Sequence, residues 1–288
     1  MEEKTDIHKK IASFINEMPS LPISAGKVLE ICDNVNVSPM DLNRIISLDP
    51  VLTGRLLKLI NSAYYGLNSR VTTLVKAITM LGVNTVKNLA LSTAILGVLN
   101  KNKSFSGFDV EGYWRHCLCV GVTTKLLAAV QDVDPRYHQE YFTAGLLHDI
   151  GKIPLNAVLA EDYTRVIAAA DIQRGKLRDV EYNSLGIDHC DTGAMIAAAW
   201  KLYSPISDVI SYHHKIGEYK GEYINILYNT AVADYFSNLY EVGFAGNRNP
   251  AKPPDSVWQT IGLGDDTFES LKDKVLLEIE KAKIFLKI

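Results

Sequence analysis

Apolar residues recur three and four positions apart along most of the chain, and no stretch alternates apolar and polar residues for long. The first period is that of an amphipathic helix, whereas alternation is typical of a half-buried strand. The pattern therefore predicts an all-α fold. The predicted helices cover residues 5–18, 24–32, 38–48, 49–62, 73–81, 84–99, 109–130, 137–147, 162–173, 179–185, 186–202, 204–214, 222–240 and 266–288.

Two helix starts carry residues that suit a cap. Ser38 is followed by Asp41, which predicts a side-chain cap with an acid in the first turn, and Asp49 precedes Pro50 at the first helical position. The polar tract 101–107 interrupts the helical pattern and is the best candidate boundary. We predict an N-terminal helical subdomain over 1–105, a helical core over 106–245, and a loop with an amphipathic helix over 246–288. We expect that last helix to pack on its own core rather than on another subunit.

Composition narrows the class of protein. The 288 residues are 47% hydrophobic, which is ample for a sizeable core, and the net charge of -3 argues against a dedicated nucleic-acid binder. No apolar run approaches the roughly 20 residues that span a bilayer, and the first residues lack a signal-peptide pattern, so we expect no membrane contact and a cytoplasmic location. The cysteines form no CxxC pair and are expected to be packing residues. They are Cys32, Cys117, Cys119 and Cys190.

The most distinctive stretch is His148-Asp149, which follows the apolar helical run 141–147 and precedes Gly151. An imidazole nitrogen and a carboxylate oxygen can both bind a divalent metal ion. Gly151 is expected to let the backbone turn sharply just past the pair. A His-Asp pair alone is weak evidence, but other segments supply further ligand-type residues. These are His116, His189, His213, His214 and Asp234.

Imidazoles together with carboxylates, one of which can bridge, are the inventory of a two-metal site, and Asp149 is the expected bridge. Simpler explanations stand beside this one. A lone helical histidine such as His116 is often a hydrogen-bonded core or surface residue, and paired histidines at a helix C-terminus suit the helix dipole. Asp234 fits no such explanation, because it lies in the apolar run 231–236, where an unpaired carboxylate is costly to bury. Lys152 either neutralises a bound phosphate or is an exposed lysine without that role.

Two further acids, Asp188 and Asp191, flank His189 near a predicted helix start. Short acidic side chains at such a position usually cap the helix, and we predict that role for both rather than metal binding.

The order His116, His148-Asp149, Asp234 resembles the HD superfamily of metal-dependent phosphohydrolases. The N-terminal half resembles one branch of it, the HDOD domain or HD-related output domain. The matching stretches are Leu21-Pro22, 45–50, 56–65, 77–82, 114–116, 145–151, Asp188-His189, Gly193-Ala194, Trp200 and His213-His214. The resemblance runs from about Leu21 to about Asp234 and implies an HD-like helical core behind an N-terminal helical subdomain.

HDOD proteins are taken as bacterial signalling or regulatory modules, and many have lost their metal ligands. This chain keeps the positions that match the ligands of the related HD-GYP phosphodiesterases. They are His116, His148, Asp149, His189, His213, His214 and Asp234. It lacks a Gly-Tyr-Pro stretch after His214, and Gly112 stands four positions before His116, where an acid would complete a fuller site. Glu111 is one residue off and is expected to face elsewhere on the helix.

The resemblance also places Asp149 and Asp234 in one buried site. Two carboxylates that share such a site repel, so we expect at least one to be driven towards protonation unless a cation is bound. We therefore expect one or two divalent ions. A donor set of nitrogen and oxygen without thiolate favours iron, manganese or zinc.

Two functions follow from the resemblance. The leading hypothesis is a regulatory module that acts through contacts with a signalling protein. The rival is a metal-dependent phosphohydrolase for a phosphoester, a nucleotide or a cyclic dinucleotide, in which His148, Asp149 and Lys152 would be the catalytic residues. A nucleotide or phosphate ligand is the expected small molecule, and cyclic dinucleotide hydrolysis is disfavoured by the missing Gly-Tyr-Pro stretch.

Overall fold

The structure, a computed structural model, describes residues 2–31, 37–99 and 108–287. Every regular element in these ranges is a helix, which confirms the all-α prediction. The α-helices before residue 100 are α1 (Glu2–Glu17), α2 (Ile23–Glu30), α3 (Pro39–Ser47), α4 (Pro50–Ile60), α5 (Leu74–Leu81) and α6 (Val83–Leu99). Those after residue 107 are α7 (Val110–Val130), α8 (His138–Leu147), α9 (Lys152–Gln173), α10 (Leu177–Leu185), α11 (His189–Ala199), α12 (Ile206–Tyr212), α13 (Ile224–Leu239), α14 (Asp255–Ile261) and α15 (Asp265–Ala282).

The helix starts lie where the capping residues placed them. The Ser38 hydroxyl accepts a hydrogen bond from the Asp41 N–H at 3.1 Å, and the Asp41 carboxylate accepts one from the Ser38 N–H at 3.2 Å. The Asp49 carboxylate accepts the Leu52 N–H at 2.9 Å. A cap of this kind is worth about 1 kcal/mol, so short helices such as α3 and α4 begin at defined residues.

The centre of the molecule is the pair α7 and α8, which lie backbone against backbone at two glycines. A Cβ atom on Gly145 would lie 2.8 Å from the Cα atom of Gly121, and one on Gly121 would lie 2.8 Å from the Phe142 carbonyl oxygen. Real Cβ atoms do not approach so closely, so only glycine permits this spacing. The contact sets His116 of α7 beside His148, which follows α8.

The first turn of α8 connects this core to the N-terminal helices. The Tyr65 hydroxyl donates to the Gln139 side-chain oxygen at 3.1 Å, and the Tyr203 hydroxyl lies 2.8 Å from Asn88 and 3.3 Å from Glu140. Helix α6 packs along α8 as well. One end of α8 therefore contacts the N-terminal helices, and the other end leads into His148-Asp149.

The two ends of the chain lie on the core. Helix α1 packs on α9 and α11, and its Lys4 ammonium donates to the Asn183 carbonyl of α10 at 2.9 Å. Helix α15 packs on α7 and buries Phe268, Val275 and Ile279, which is the packing expected for the tail. The predicted boundary at 101–107 lies outside the described residues.

Two helix predictions need correction. Helix α9 begins at Lys152 rather than at residue 162, and Pro154 lies in its first turn, where no helical hydrogen bond is lost. Non-helical dihedrals at Leu159 mark a kink in it. The seven-residue helix α14 lies before the predicted helix 266–288 and was missed, because it is too short to show a clear helical period. None of the described helices combines the length and the apolar character of a membrane span.

Candidate metal centre

The side chains that the resemblance implies as ligands come from five parts of the chain, and the structure brings all of them together. They are His116 in α7, His148 and Asp149 after α8, His189 in the first turn of α11, His213 and His214 after α12, and Asp234 in α13. All are buried except His214, whose side chain is 25% exposed.

Asp149 lies between two pairs of imidazoles. Its Oδ2 atom is 3.4 Å from His116 Nε2 and 3.3 Å from His148 Nε2. Its Oδ1 atom is 3.6 Å from the Nε2 atoms of both His189 and His213. Because each oxygen faces a different pair, this carboxylate has the geometry of a bridge between two ions.

Asp234 lies on the Oδ2 side of this arrangement. Its Oδ1 atom is 3.2 Å from His116 Nε2 and 3.6 Å from His148 Nε2, and its Oδ2 atom is 3.8 Å from His214 Nε2. The Asn238 side-chain amide donates to Oδ1 at 2.8 Å and orients the carboxylate. Among the described residues, three sets of three residues each bring their donor atoms within 4.8 Å of one another. The sets are His116, His148 and Asp234; His148, Asp149 and His213; and His189, His213 and His214.

The buried imidazoles are held by their Nδ1 atoms. The partners are the Ser237 hydroxyl for His116 (3.0 Å), the Gly145 carbonyl for His148 (2.7 Å), the Glu181 carboxylate for His189 (2.5 Å) and the Val209 carbonyl for His213 (3.0 Å). Such partners orient metal-binding histidines and fix which ring nitrogen is free. The Ser237 hydroxyl donates to the Val242 carbonyl at 3.1 Å, so it accepts from His116.

The opposite nitrogens converge on the middle of the cluster without hydrogen-bond partners. The Nε2 atoms of His116, His148, His189 and His213 and the Oδ1 atom of Asp149 are buried, and none has such a partner in the described part of the chain. Buried polar atoms are rarely left unpaired. Five such atoms gathered at the Asp149 carboxylate fit divalent metal ions, which imidazole nitrogen and carboxylate oxygen bind together.

Two of the orienting residues, Glu181 and Ser237, escaped the sequence analysis. Glu181 is fully buried in α10, where it accepts hydrogen bonds from the His189 N–H at 3.0 Å and the Tyr163 hydroxyl at 2.7 Å. Its signal was present, because Glu181 follows Leu177 by four positions on the apolar stripe of its helix. A carboxylate on such a stripe needs a buried partner.

Replacing Glu181 should therefore weaken metal binding without removing a ligand. Glu181→Gln keeps the volume but loses the charge that orients His189, and changes to such partners cost about 10- to 100-fold in affinity. Titration against a chelating dye measures the constant. The matched control is Glu140→Gln, which alters another largely buried carboxylate outside the cluster. Equal affinities in the two variants would contradict the assigned role.

Lys152 is buried in the cluster, so the alternative of an exposed lysine is wrong. Its ammonium lies 2.6 Å from Asp149 Oδ2. Burial by itself would lower the pKa of Lys152, but Asp149 and Asp234 outweigh burial and raise that pKa. The lysine thus adds a fixed positive charge beside the bridging carboxylate.

The expectation that one carboxyl group is driven towards protonation is also wrong. Burial would raise the pKa of Asp149, but His148 and Lys152 hold it well below its usual range. The neighbouring imidazoles of His116 and His148 outweigh burial in the same way and lower the pKa of Asp234. The carboxylates are therefore balanced by Lys152 and by imidazoles, and a metal ion would replace protons on those imidazoles.

The family model of the HDOD domain matches residues 18–216. The chain belongs to the HDOD family. It is 26% identical over 235 residues to an uncharacterised protein of Treponema pallidum (strain Nichols), a match that covers 81% of this chain but 44% of that protein. The chain thus spans less than half the length of this curated relative.

Solved structures share the HDOD fold along nearly the whole chain. An HDOD domain protein of unknown function from Geobacter sulfurreducens superposes with a TM-score of 0.77 at 24% identity, covering 98% of this chain and 97% of that one. A protein from Shewanella amazonensis SB2B, provisionally named a phosphohydrolase, gives 0.69 at 23% identity and covers 96% and 98%. At these identities the likeness establishes the fold alone.

Gly151 serves a different purpose in this HDOD chain from the one predicted. Its dihedrals, φ -66° and ψ -18°, are right-handed helical, so no sharp turn requires glycine. A Cβ atom there would lie 1.9 Å from the His189 carbonyl oxygen, and one on Gly193 would lie 2.5 Å from a methyl carbon of Ile210. Gly151 lets the start of α9 touch α11, which sets His189 beside Asp149, and Gly193 lets α11 approach α12.

Gly112, the position before His116 where a fuller site would carry an acid, contacts a loop instead. The Gly112 carbonyl accepts a hydrogen bond from the Phe244 N–H at 2.9 Å, and Gly243 reaches this contact with a positive φ of 78°. The 243–244 loop thus covers α7 where a fuller ligand set would carry an acid. Glu111 is exposed and faces away, as expected.

The acids predicted to cap a helix and the described cysteines predicted to pack in the core do so. Asp188 and Asp191 form a capping box at the start of α11. Cys117, Cys119 and Cys190 are buried without disulfides, and burial raises the pKa of Cys119 to about 11. Cys32 lies outside the described residues.

One side of the cluster opens into a cavity of about 240 Å³, a feature that the sequence did not reveal. His213, His214 and Asp234 form its inner wall. Three cations and one further acid also line it, namely Lys176, Arg178, Lys252 and Asp179. A small anion that entered here would meet positive charge on the way to the cluster.

Proposed function

We propose that this HDOD chain binds two divalent metal ions and hydrolyses a phosphoester in the cavity beside them. One observation carries the proposal. Four buried imidazole nitrogens and an oxygen of Asp149 have no hydrogen-bond partner among the described residues. The four nitrogens lie 3.3–3.6 Å from the Asp149 carboxylate, and His213 among them lines a cavity. A site that merely filled the core would pair these atoms with one another or with backbone.

The donor atoms divide into two groups around Asp149. His116, His148, Asp234 and Asp149 Oδ2 would hold one ion, and His189, His213, His214 and Asp149 Oδ1 would hold the other. When bound, such ions lower the pKa of a coordinated water and polarise a phosphoryl oxygen. The mixture of nitrogen and oxygen donors favours iron, manganese or zinc.

The other charged groups suit a phosphate-bearing substrate. Lys152 supplies a buried positive charge 2.6 Å from the Asp149 carboxylate. This charge would help to stabilise the negative charge that develops on the oxygens of a bound phosphoester. Lys176, Arg178 and Lys252 line the cavity and would draw an anion inward. This cavity is smaller than the roughly 300 Å³ at which drug-sized ligand pockets begin, which favours a compact phosphoester over a cyclic dinucleotide.

The hypothesis of a regulatory module that acts through a signalling partner remains a prediction. It rests on the resemblance to the HDOD family, and it requires no turnover. The two readings are separable, because a regulatory module can keep the metal for structural reasons or for binding a nucleotide or phosphate.

Turnover by the metal-loaded protein tests the proposal. We expect iron-, manganese- or zinc-loaded protein to release phosphate or alcohol from at least one of a set of phosphomonoesters, linear diesters and nucleotides. Lys152→Met, which keeps the length of the side chain but removes its charge, should lower the rate by about 10²- to 10³-fold, the cost of removing one charge-stabilising group. A fully loaded protein with no more turnover than metal in buffer would refute hydrolysis while leaving the metal site intact.

A further inference from the structure

A second site candidate lies on the N-terminal helices, away from the metal centre. Residues 37–99 carry six lysines and arginines but two acids, a net charge of +4, whereas the whole chain carries -3. The remainder of the chain is therefore at -7. Positive charge concentrated on one part of an acidic protein directs acidic partners to that part.

Two of these six cations border an open groove between α4 and the 67–72 loop, with a volume of about 750 Å³. Lys58 and Arg70 lie on its two sides, and no carboxylate lines it. Neither cation has an ion-pair partner in the described part of the chain. Leu57 and Leu67, which are half-buried, give the groove an aliphatic surface as well.

The groove is preorganised by Asn61, the C-terminal cap of α4. Its side-chain amide donates to the Leu57 carbonyl at 2.7 Å and to the Val71 carbonyl at 2.8 Å, and its oxygen accepts the Val71 N–H at 2.8 Å. These bonds fasten the loop to the helix. A groove whose walls are fixed in this way does not pay an ordering cost when a ligand binds.

A glycine exposes the backbone of α4 at the edge of the groove. Gly54 lies inside the helix, and a Cβ atom on it would meet no atom within 4 Å. Glycine in an exposed helix interior costs about 1 kcal/mol relative to alanine. Packing does not require it here, so its effect is to leave the helix bare for close approach by another chain.

We propose that this groove is a docking site for an acidic segment of a partner protein. Aliphatic surface between two unpaired cations fits a peptide that presents carboxylates and apolar side chains together. Nucleic acid fits less well, because no aromatic side chain lines the groove for base stacking and its cations are too few to follow a phosphate backbone. The proposal does not depend on the metal centre.

Fluorescence anisotropy with a labelled peptide of glutamate and leucine tests this site on the full chain. We expect the peptide to bind and the doubly charge-reversed variant Lys58→Glu/Arg70→Glu to bind at least about tenfold more weakly, since like charges in contact oppose docking. Gly54→Gln should weaken binding similarly by filling the groove, and glutamine also improves the helix. Folding of each variant is checked by its melting temperature.

Two matched variants complete the test. Arg44→Glu reverses an exposed charge outside the groove, and Gly26→Gln fills open space on α2; both should bind the peptide as the unaltered chain does. The proposal fails if the peptide does not bind at low salt, or if the groove variants and the matched variants bind equally. Tighter binding of single-stranded DNA than of the peptide, lost in the same groove variants, would reassign the groove to nucleic acid.

Discussion

Asp149→Ala is expected to abolish metal binding, to less than about a tenth of an equivalent, because both ion positions lose the shared carboxylate at once. Its two oxygens face different pairs of imidazoles, at 3.3–3.4 Å on one side and 3.6 Å on the other. Elemental analysis of protein purified without chelator, before and after reloading, measures the loss. The unaltered chain should carry between one and two equivalents.

The variant has a known complication and a matched control. Removing Asp149 leaves Lys152 buried without its 2.6 Å partner, so Asp149→Asn, which keeps the shape, is measured beside it together with thermal unfolding. His138→Ala alters a histidine whose ring bonds the Val133 carbonyl at 2.7 Å outside the cluster, and it should keep its metal. If Asp149→Ala retains its metal, or if His138→Ala loses it equally, the metal is not bound by the cluster around Asp149.

Gly151→Ala is expected to destabilise the protein by about 1–3 kcal/mol or more, the range for forcing atoms into a packed interior. The new methyl group would meet the His189 carbonyl oxygen at 1.9 Å, so α9 and α11 must separate. That movement draws His189 away from Asp149, and metal affinity should fall with stability. Urea unfolding and the dye titration measure the two effects.

Gly26→Ala is the companion to this variant. Gly26 lies within α2, and nothing stands within 4 Å of its would-be Cβ atom. The same change there should stabilise the protein by about 0.5–1 kcal/mol. Similar unfolding midpoints for the two alanine variants would mean that the close contact at Gly151 relaxes without cost.

The helices could be predicted from the sequence because they depend on local information, and the resemblance supplied the candidate ligands that the structure brings together. Apolar spacing sets each helix, Asp49-Pro50 marks a start, and the resemblance orders His116, His148 and Asp234 along the chain. The prediction began helix α9 at residue 162, whereas the helix begins at Lys152 and includes Pro154 in its first turn, where a proline costs no hydrogen bond.

What the sequence did not provide is contact between distant residues. Glu181 of α10 orients His189 of α11, and nothing in the sequence of either segment predicts that contact. The pKa of Asp149 depends on Lys152 and the imidazoles. The prediction of a protonated carboxyl group considered only the repulsion between Asp149 and Asp234 and left out these positive charges. Gly151 was predicted to form a sharp turn. Its actual role, to make room for the His189 carbonyl, depends on a contact between distant residues that the sequence does not show.

The glycine contacts have a consequence for how such a site can be lost. Gly121 with Gly145, and Gly151 with the backbone of His189, fix the spacing of the helices through main-chain atoms rather than through the side chains that would bind metal. The glycines that set the helix spacing and the side chains that would bind metal can therefore change independently of each other. A descendant could exchange an imidazole for another side chain and keep the same frame, which gives a physical route to HDOD domains that have shed their ligands yet still fold.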